Sequence, residues 1–539
     1  MCRLRNMAIL CSPGGISSVG SNLEVPIVSE NNEITRRSFL RKGVSTAGSL
    51  VFASGLGLAS SSAASAKSNE LIGALKLDSL KTKFKGRLIT PVDPEFPVIA
   101  LGGLWNELRP KRYPQLIAQV MDEADVAAVI RFARSNKLKV TVRGGGHNWC
   151  NPSLRNSGIM IDLTKMNQVI SVDKAAKKAV VQPIISNRDI QKRLNAEGLS
   201  FPSGHCPEVK LSGYLLSGGM SWNQGVWGHG VGSVEAVELV TADGQLLTAS
   251  ATENQDYFFA ARGAGPGLFA VATRYHLKLY DLPKAITASS YVYPYEHLEE
   301  VAQWVSGVAG TLPPSVELSL FMVNAPADLA DKCKESGGKV CMVTATMFAD
   351  SAEEAAQTLS RLDSCPLLPY VLKSSTCEPM TFEQLFDASG ALWPSGLRCK
   401  VDAMFSDENL ATVVASVKDH YKALESPTSV VMFAVFTGKN VPEPLDPTMA
   451  FSMTARLYGG PWTMWKEASA DESNIAWHKK CVELLSPHVK GHYVAESDTV
   501  TNPEYSRTSY TEKNWQRLTE LRAKYDPDGV FFDYNQGLT

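Results

Sequence analysis

"TVRGGGHNWC", Thr141–Cys150, decides how the chain is read. A β-branched run, LKVTVR, ends in an arginine, and three glycines and a histidine follow at once. Glycine loses more backbone entropy on folding than any other residue, so three in succession mark a place where side chains must be absent. Backbone N–H groups in such a loop can converge on an anion such as a pyrophosphate. The spacing is neither G-x-G-x-x-G nor G-x-x-x-x-G-K-[ST], so neither a Rossmann nor a Walker site is read here. Alone, Gly144-Gly145-Gly146 is a weak signal whose default reading is a tight turn.

A second stretch changes the weight. PSGHCPEVKLSGYLLSGGMSWNQGVWGHGVGSV (202–234) again sets glycines around a lone cysteine, Cys206. Gly213, Gly218 and Gly219 would let backbone lie flat against a planar ligand or its phosphates. Taken singly, Cys206 is a small inert hydrophobe and His147 a solvated loop histidine.

Around these loops the chain alternates short strands and helices. Residues 114–136 read as one helix, with Asp122 or Asp125 capping an inner segment. LKVTVR, GIMIDLTKM and KKAVVQPII read as strands, SNRDIQKRLNAEGL as a helix capped by Ser186 or Asn187. AVELVTADGQLLTAS is a hairpin turning at Asp243-Gly244, and LFAVATRYHLKLY is the closing strand. After Tyr280 six strands are read: SSYVYPY, VELSLFMV, KVCMVTATMFA, GLRCKVDAMFS, SVVMFAVFTG and MAFSMTARLYG. The helices SAEEAAQTLSRLD and DENLATVVASVKDHYKAL lie between them, which suggests an antiparallel sheet with helices on one face. The tail is a helix, a turn and an extended end.

At these residues the sequence resembles a family. Arg143-Gly144-Gly145-Gly146-His147 is similar to the R-[SG]-G-G-H loop of flavoproteins related to p-cresol methylhydroxylase and vanillyl-alcohol oxidase. Gly204-His205-Cys206, Gly213 and Ser217-Gly218-Gly219 resemble the G-x-C and G-G-G signals of the berberine-bridge-enzyme-like branch, with Ser-Gly-Gly-Met as a departure. LWNELRPKRYPQLI, VTADG, NQDYFFAARGAGPGLFAVATRYHLKL and YDPDGVFFDYNQGL look like the same branch. The resemblance is close over 85–280 and the tail, and loose between them.

The resemblance implies an α+β fold. A two-subdomain FAD-binding domain of the p-cresol methylhydroxylase type would span 67–280, and 513–539 would return to it. A substrate domain, an antiparallel sheet covered by helices, would span 281–512. It also implies a bicovalent FAD, with His147 on the 8α-methyl carbon and Cys206 on C6. Both side chains are nucleophiles when deprotonated. Arg143 to Gly146 would cradle the pyrophosphate, with Asn148 (Ser in much of the family), Gly204, Gly213, Gly218 and Gly219 around the cofactor. Gly263 to Thr273, including Val271, would line the adenine and phosphate end, and Asn535 and Gln536 would lie beside the flavin.

Oxidation at a carbon bearing O–H or N–H needs a hydride acceptor and a base for the heteroatom proton. GHYVAESD (491–498) aligns with a family stretch often reading Y-x-N. Tyr493 is therefore the candidate beside the flavin N5. The family's Asn is Ala495 here, and Glu496 or Asp498 would be the base if burial raises its pKa. Tyr458, Arg456, Trp462 and Trp465 are candidates for a flat pocket, and His205 for tuning oxygen access or a proton. The expected activity is oxidation of an alcohol, sugar or aromatic alcohol with dioxygen as acceptor, giving hydrogen peroxide. The alternatives are amine or alkaloid oxidation, a dehydrogenase using another acceptor, and remotely a non-catalytic carbohydrate-binding protein.

Bulk properties agree with a globular enzyme. The 539 residues are 44% hydrophobic and 20% charged, with a net charge of -2. No long basic run suggests nucleic acid, and no apolar run is long enough to span a membrane. His488 and His492 in HVKGH lack a third metal ligand. TRRSFLRK (35–42), an apolar stretch and Ala64-Ser65-Ala66 read as a twin-arginine signal and cleavage site over 1–66. Export by that machinery to the periplasm or outside is the expectation. Cleavage removes Cys2, Cys11, six Lys/Arg and three Glu, leaving the mature chain at -5. Of the eight remaining cysteines, Cys333 with Cys341 and Cys365 with Cys377 are candidate disulfides.

Overall fold

A computed structural model describes residues 77–82, 84–438 and 445–538. The segment 1–66, read above as a twin-arginine signal and holding Cys2 and Cys11, lies outside the described residues. The first sheet holds β1 (Arg87–Ile89), β2 (Leu116–Gln119), β3 (Val140–Arg143) and β4 (Ile159–Asp162) in the order β1-β2-β4-β3. β4 runs parallel to both β2 and β3. Next come β5 (Val169–Asp173), β6 (Lys178–Val181) and the short β7 (Leu199–Ser200). β8 (Val234–Thr241), β9 (Leu246–Ser250) and β10 (Ala270–Lys278) join β5 and β6 in an antiparallel sheet ordered β5-β6-β10-β8-β9. β11 (Tyr280–Asp281) pairs with β7.

A larger sheet follows. It comprises β12 (Ala285–Pro294), β13 (Val316–Asn324), β14 (Lys339–Ala349), β15 (Lys373–Pro379), β16 (Arg398–Val401), β17 (Met404–Ser406), β18 (Val430–Val435), β19 (Leu457–Trp465) and β20 (Gly491–His492). The order is β15-β12-β14-β13-β18-β19-β17-β20, with β16 also on β19, and every pair is antiparallel. The architecture is α+β.

Strand alternation gives this sheet two different faces. Leu318, Leu320 and Met322 of β13 and Val343, Ala345 and Met347 of β14 pack with Val301, Val305, Val413 and Val417 of helices Leu298–Ala309 and Leu410–Lys422. The intervening residues, Glu317 and Ser319 among them, face a large cavity.

Three local readings are corrected. Residues 116–119 are a strand, and the helix begins only at Glu123. Asp122 caps it by accepting from the Asp125 N–H at 3.1 Å. Leu116, Ile117 and Ala118 are all buried, so a strand covered on both faces mimics the helical apolar run. GLRCKVDAMFS breaks into β16 and β17 at Asp402-Ala403. MAFSMTARLYG is extended only from Leu457, and the strand runs on through Gly459-Gly460-Pro461 to Trp465. There a Cβ on Gly459 would lie 2.0 Å from the Met432 carbonyl oxygen, and one on Gly460 2.2 Å from that of Asp402. The residues that look like strand breakers are the ones neighbouring backbone permits.

Both proposed disulfides are absent, and all eight described cysteines are free. Cys341 packs on the helix-covered face, whereas Cys333 packs with Val340, which points the other way. Cys365 and Cys377 stand against the same core as separate thiols.

Arg143 fixes where β3 ends. Its guanidinium donates to Asp162 at 2.8 Å and to the Ile99 and Ala100 carbonyls at 2.7 and 3.0 Å. Both ion-pair partners are almost wholly buried, at 3% and 1% side-chain exposure. Removing one partner of such a pair strands a charge. Asp162→Ala should therefore cost about 3–5 kcal/mol, read as a large drop in the urea midpoint. Asp528→Ala, which breaks an exposed pair with Arg134, should cost less than about 1 kcal/mol.

Candidate active site

One cavity of about 960 Å³ lies between the glycine loops and the large sheet. Gly144, Gly145, Gly146, His147 and Asn148 enter it directly after β3. Gly146 has φ +66°, and a Cβ there would sit 1.7 Å from the Gly103 carbonyl oxygen. A Cβ on Gly145 would lie 2.4 Å from Lys210 Cγ. The glycine run is thus required by close backbone and side-chain approach. Lys210 itself lines the cavity and has no ion-pair partner among the described residues.

His147 lines the same cavity, its ring 5.0 Å from Trp105 and 5.9 Å from Trp149. Its Nε2 is buried with no hydrogen-bond partner. Burial, aided by the Lys210 charge, pushes its pKa down to about 4, so it is a neutral nucleophile at physiological pH. Gly204, His205 and Cys206 also line the cavity. Burial, with Glu496 and Glu208 adding negative charge, pushes the Cys206 thiol up to about 12. The free cysteine is therefore a thiol, which must lose its proton before it can act as a nucleophile.

Tyr493, Ala495 and Glu496 complete this region of the wall. Tyr493 Oη accepts from the Gly219 N–H at 3.2 Å. The Tyr458 hydroxyl, also in the cavity, donates to Glu496. Burial holds Glu496 above the usual carboxylate range, against the opposing pull of Tyr458 and of His205. His205 Nε2 in turn lies 3.1 Å from Glu317 Oε2, and its ring is 4.1 Å from that of Trp222.

Other candidates fall elsewhere. Arg143 is committed to Asp162 and is not part of the wall. Asp498 is bound to Lys400 and Thr501, which lower its pKa despite burial, and it too is outside the wall. Gly213 and Val271 line the cavity. Gly218 and Gly219, with φ +116° and +78°, instead make the buried turn against Phe451 and Tyr214. Thr273 is buried, its hydroxyl on the Glu238 carbonyl at 3.1 Å. Asn535 Nδ2 donates to the Pro503 carbonyl, and Gln536 is exposed. The tail reaches the cavity through Phe531 and Phe532. Of the pocket aromatics, Tyr458 and Trp462 line it, Trp465 is tied to Asp471, and Arg456 is exposed. Cys150 lies outside the wall beside Asn148.

The sequence reading missed Lys210, Phe531, Phe532 and the sheet face. The E-L-S-L-F alternation of β13 was the available signal for the last.

An FAD cofactor fits these residues. The loop is bare where phosphates would need close backbone, an unpaired ammonium stands beside it, and an orphaned imidazole nitrogen and a thiol share the cavity.

Comparisons with known proteins agree. Residues 114–250 match the model of an FAD binding domain. The FAD-linked oxidoreductase nodO of Hypoxylon pulicicidum is 25% identical over 428 residues, covering 79% of this chain and 91% of that one. Among solved structures, 6-hydroxy-D-nicotine oxidase from Arthrobacter nicotinovorans superposes with a TM-score of 0.72 at 22% identity, over 84% of this chain and 98% of the other. BBE-like 1 of Physcomitrella patens gives 0.72 at 18%, over 86% and 99%.

Buried histidines give the fold an acid limit. His229 and His492 are pushed down to about 4 from 6.5 by burial. The unfolded chain therefore binds their protons first. Their stabilising contribution is full above about pH 6.5 and is lost as pH falls towards about 4. Stability should decline across that window, and the His229→Asn/His492→Asn variant should flatten the slope by up to about 1.4 kcal/mol per pH unit for each histidine. Urea titrations at stepped pH check this.

Proposed function

The chain is an FAD-linked oxidoreductase with the berberine-bridge-enzyme-like fold, and from that premise we propose that it oxidises a neutral alcohol, with Glu496 as the base and dioxygen as acceptor. The observation that carries this reading is the Glu496–Tyr458 hydrogen bond, set in the wall of the cavity that also holds His147 and Cys206. A carboxylate raised by burial takes a hydroxyl proton more readily at neutral pH than an exposed one. Tyr458 orients it, and Tyr493, held by the Gly219 N–H, closes the adjoining wall. Lys210 and the bare Gly144–Gly146 backbone would hold the diphosphate, and His147 and Cys206 would carry the two covalent links, to the 8α-methyl carbon and to C6.

When bound, FAD would supply the acceptor for the hydride from the substrate carbon, with dioxygen as the final acceptor of the electron pair and hydrogen peroxide as product. Cys206 must give up its proton to be linked, and Glu496, whose charge is felt at the thiol, is the nearby group to take it. The twin-arginine segment supports loading of the cofactor before export to the periplasm or beyond, because that route carries folded proteins. A second reading, oxidation of an amine, is favoured by the nicotine oxidase neighbour; there Glu496 would bind the ammonium.

Glu496→Gln should keep the flavin and lower kcat/KM by about 10²–10⁴-fold. It should also abolish the acidic limb of the kcat/KM pH profile, and full activity in this variant rejects the base. Peroxide release over a panel of sugars, benzylic alcohols and amines separates the two readings. Cys206→Ala should retain one covalent flavin through His147, seen as a single adduct by mass spectrometry; a flavin-free chain contradicts the linkage.

A further inference from the structure

The imidazole of His147 is held by rings. Its Nε2 has no partner, and no other residue hydrogen-bonds the ring among the described residues. Two indoles flank it. Trp105 lies 5.0 Å away with its plane tilted by 35°, and Trp149 meets it edge-on at 5.9 Å and 82°. The indoles also meet each other, edge to face at 4.8 Å and 76°. Trp149 is in the cavity wall and Trp105 is not, so Trp105 stands behind the wall that His147 helps to form. The Trp105 indole N–H is buried without an acceptor. Its ring is therefore fixed by its own backbone and by the residue that follows it.

The Trp105 N–H donates to the Gly146 carbonyl at 2.9 Å. Asn106, 1% exposed, comes next. Its Nδ2 donates to the carbonyls of Trp149 at 2.7 Å and Cys399 at 2.9 Å. Its Oδ1 accepts from the N–H groups of Leu108 at 2.8 Å and Cys399 at 2.9 Å. An amide side chain has two N–H donors and two acceptor lone pairs, and all four are used. Cys399 belongs to β16, and beside it the Glu107 N–H donates to the Leu397 carbonyl at 2.9 Å. Residues 105–108 thus tie the loop that bears His147 to the large sheet.

We propose that Trp105 and Asn106 are positioning residues for the attachment of the flavin to His147. The inference rests on the reading that His147 carries the link to the 8α-methyl carbon. In that step an imidazole nitrogen bonds to the 8α carbon. The carbon and the imidazole each give up one proton. The electron pair of the broken C–H bond passes to the isoalloxazine with both protons, and dioxygen removes them as hydrogen peroxide. The bond forms only when the nitrogen points at that carbon. Misplacing a reacting group by about 1 Å costs on the order of 10²-fold in rate. A ring with no hydrogen bond of its own takes its direction from what it packs on. Trp105 supplies that surface, and Asn106 holds both indoles and the loop in one arrangement. An apolar residue at 106 would leave four backbone groups without this partner.

Intact-mass and peptide-mass analysis of the full chain, purified and then kept with excess FAD in air, tests this. Cys206→Ala isolates the His147 link and should carry one adduct there. Trp105→Leu/Cys206→Ala should carry it in a roughly tenfold smaller fraction of chains at equal time, while FAD still binds without a covalent bond. Trp105→Phe/Cys206→Ala keeps an aromatic face and should restore most of the adduct. Val413→Ala/Cys206→Ala weakens a different core, the one under the large sheet, and should keep the full adduct. If the leucine variant does not fold, Asn106→Asp/Cys206→Ala decides. It keeps the side-chain shape, loses both donated hydrogen bonds, and should show the same loss. An unchanged adduct in the leucine or aspartate variant overturns the inference, as does an equal loss in Val413→Ala/Cys206→Ala. No adduct in Cys206→Ala itself instead rejects the link to His147, and the inference falls with it.

Discussion

The site depends on an arginine that does not enter it. Arg143 ends β3 with its guanidinium turned away, into Asp162 and two carbonyls of the Phe96–Gly102 helix. That buried pair stops the strand at one position, and from there Gly144 to His147 pass along the cavity wall. Further along, the Trp105 N–H donates to the Gly146 carbonyl at 2.9 Å and Asn148 donates to the Ala495 carbonyl. Charge at the loop comes instead from Lys210, a neighbour in space from another segment, packed across Gly145.

Enclosure then sets the chemistry. The same removal from water acts in opposite senses on the imidazole, the thiol and the carboxyl, because each resists its charged form. His147 is driven to neutrality, Cys206 to the thiol, and Glu496 towards holding a proton. A histidine ready to react thus shares the cavity with a cysteine that is not, and a carboxylate stands near enough to that cysteine to influence it. Asp498, two residues from Glu496, shows the contrast. Lys400 and Thr501 hold it in its charged form, and it serves the loop as a fixed anchor.

The large sheet divides labour by alternation. On β13, Glu317, Ser319 and Phe321 are among the cavity residues, while Leu320 and Met322 pack in the core under two helices. A one-residue slip would exchange the two faces and bury Glu317 and Ser319 under helices. Antiparallel pairing across nine strands makes that slip costly.

The sequence by itself determined the two glycine loops, a helix capped at Ser186 or Asn187, the Asp243-Gly244 hairpin and an antiparallel sheet with helices after Tyr280, because each is written in local backbone demands or in periodicity. His147, Cys206, Tyr493 and Glu496 were legible as types at motif positions. Only the tertiary structure set Glu496 in the cavity wall and Asp498 outside it, turned Arg143 away from the cavity, brought Phe531 and Phe532 of the tail to the wall, and kept Cys333 from Cys341. These outcomes depend on which partner a side chain meets across the fold, and no local pattern encodes an ion pair formed between residues 98 positions apart, as Lys400 and Asp498 are.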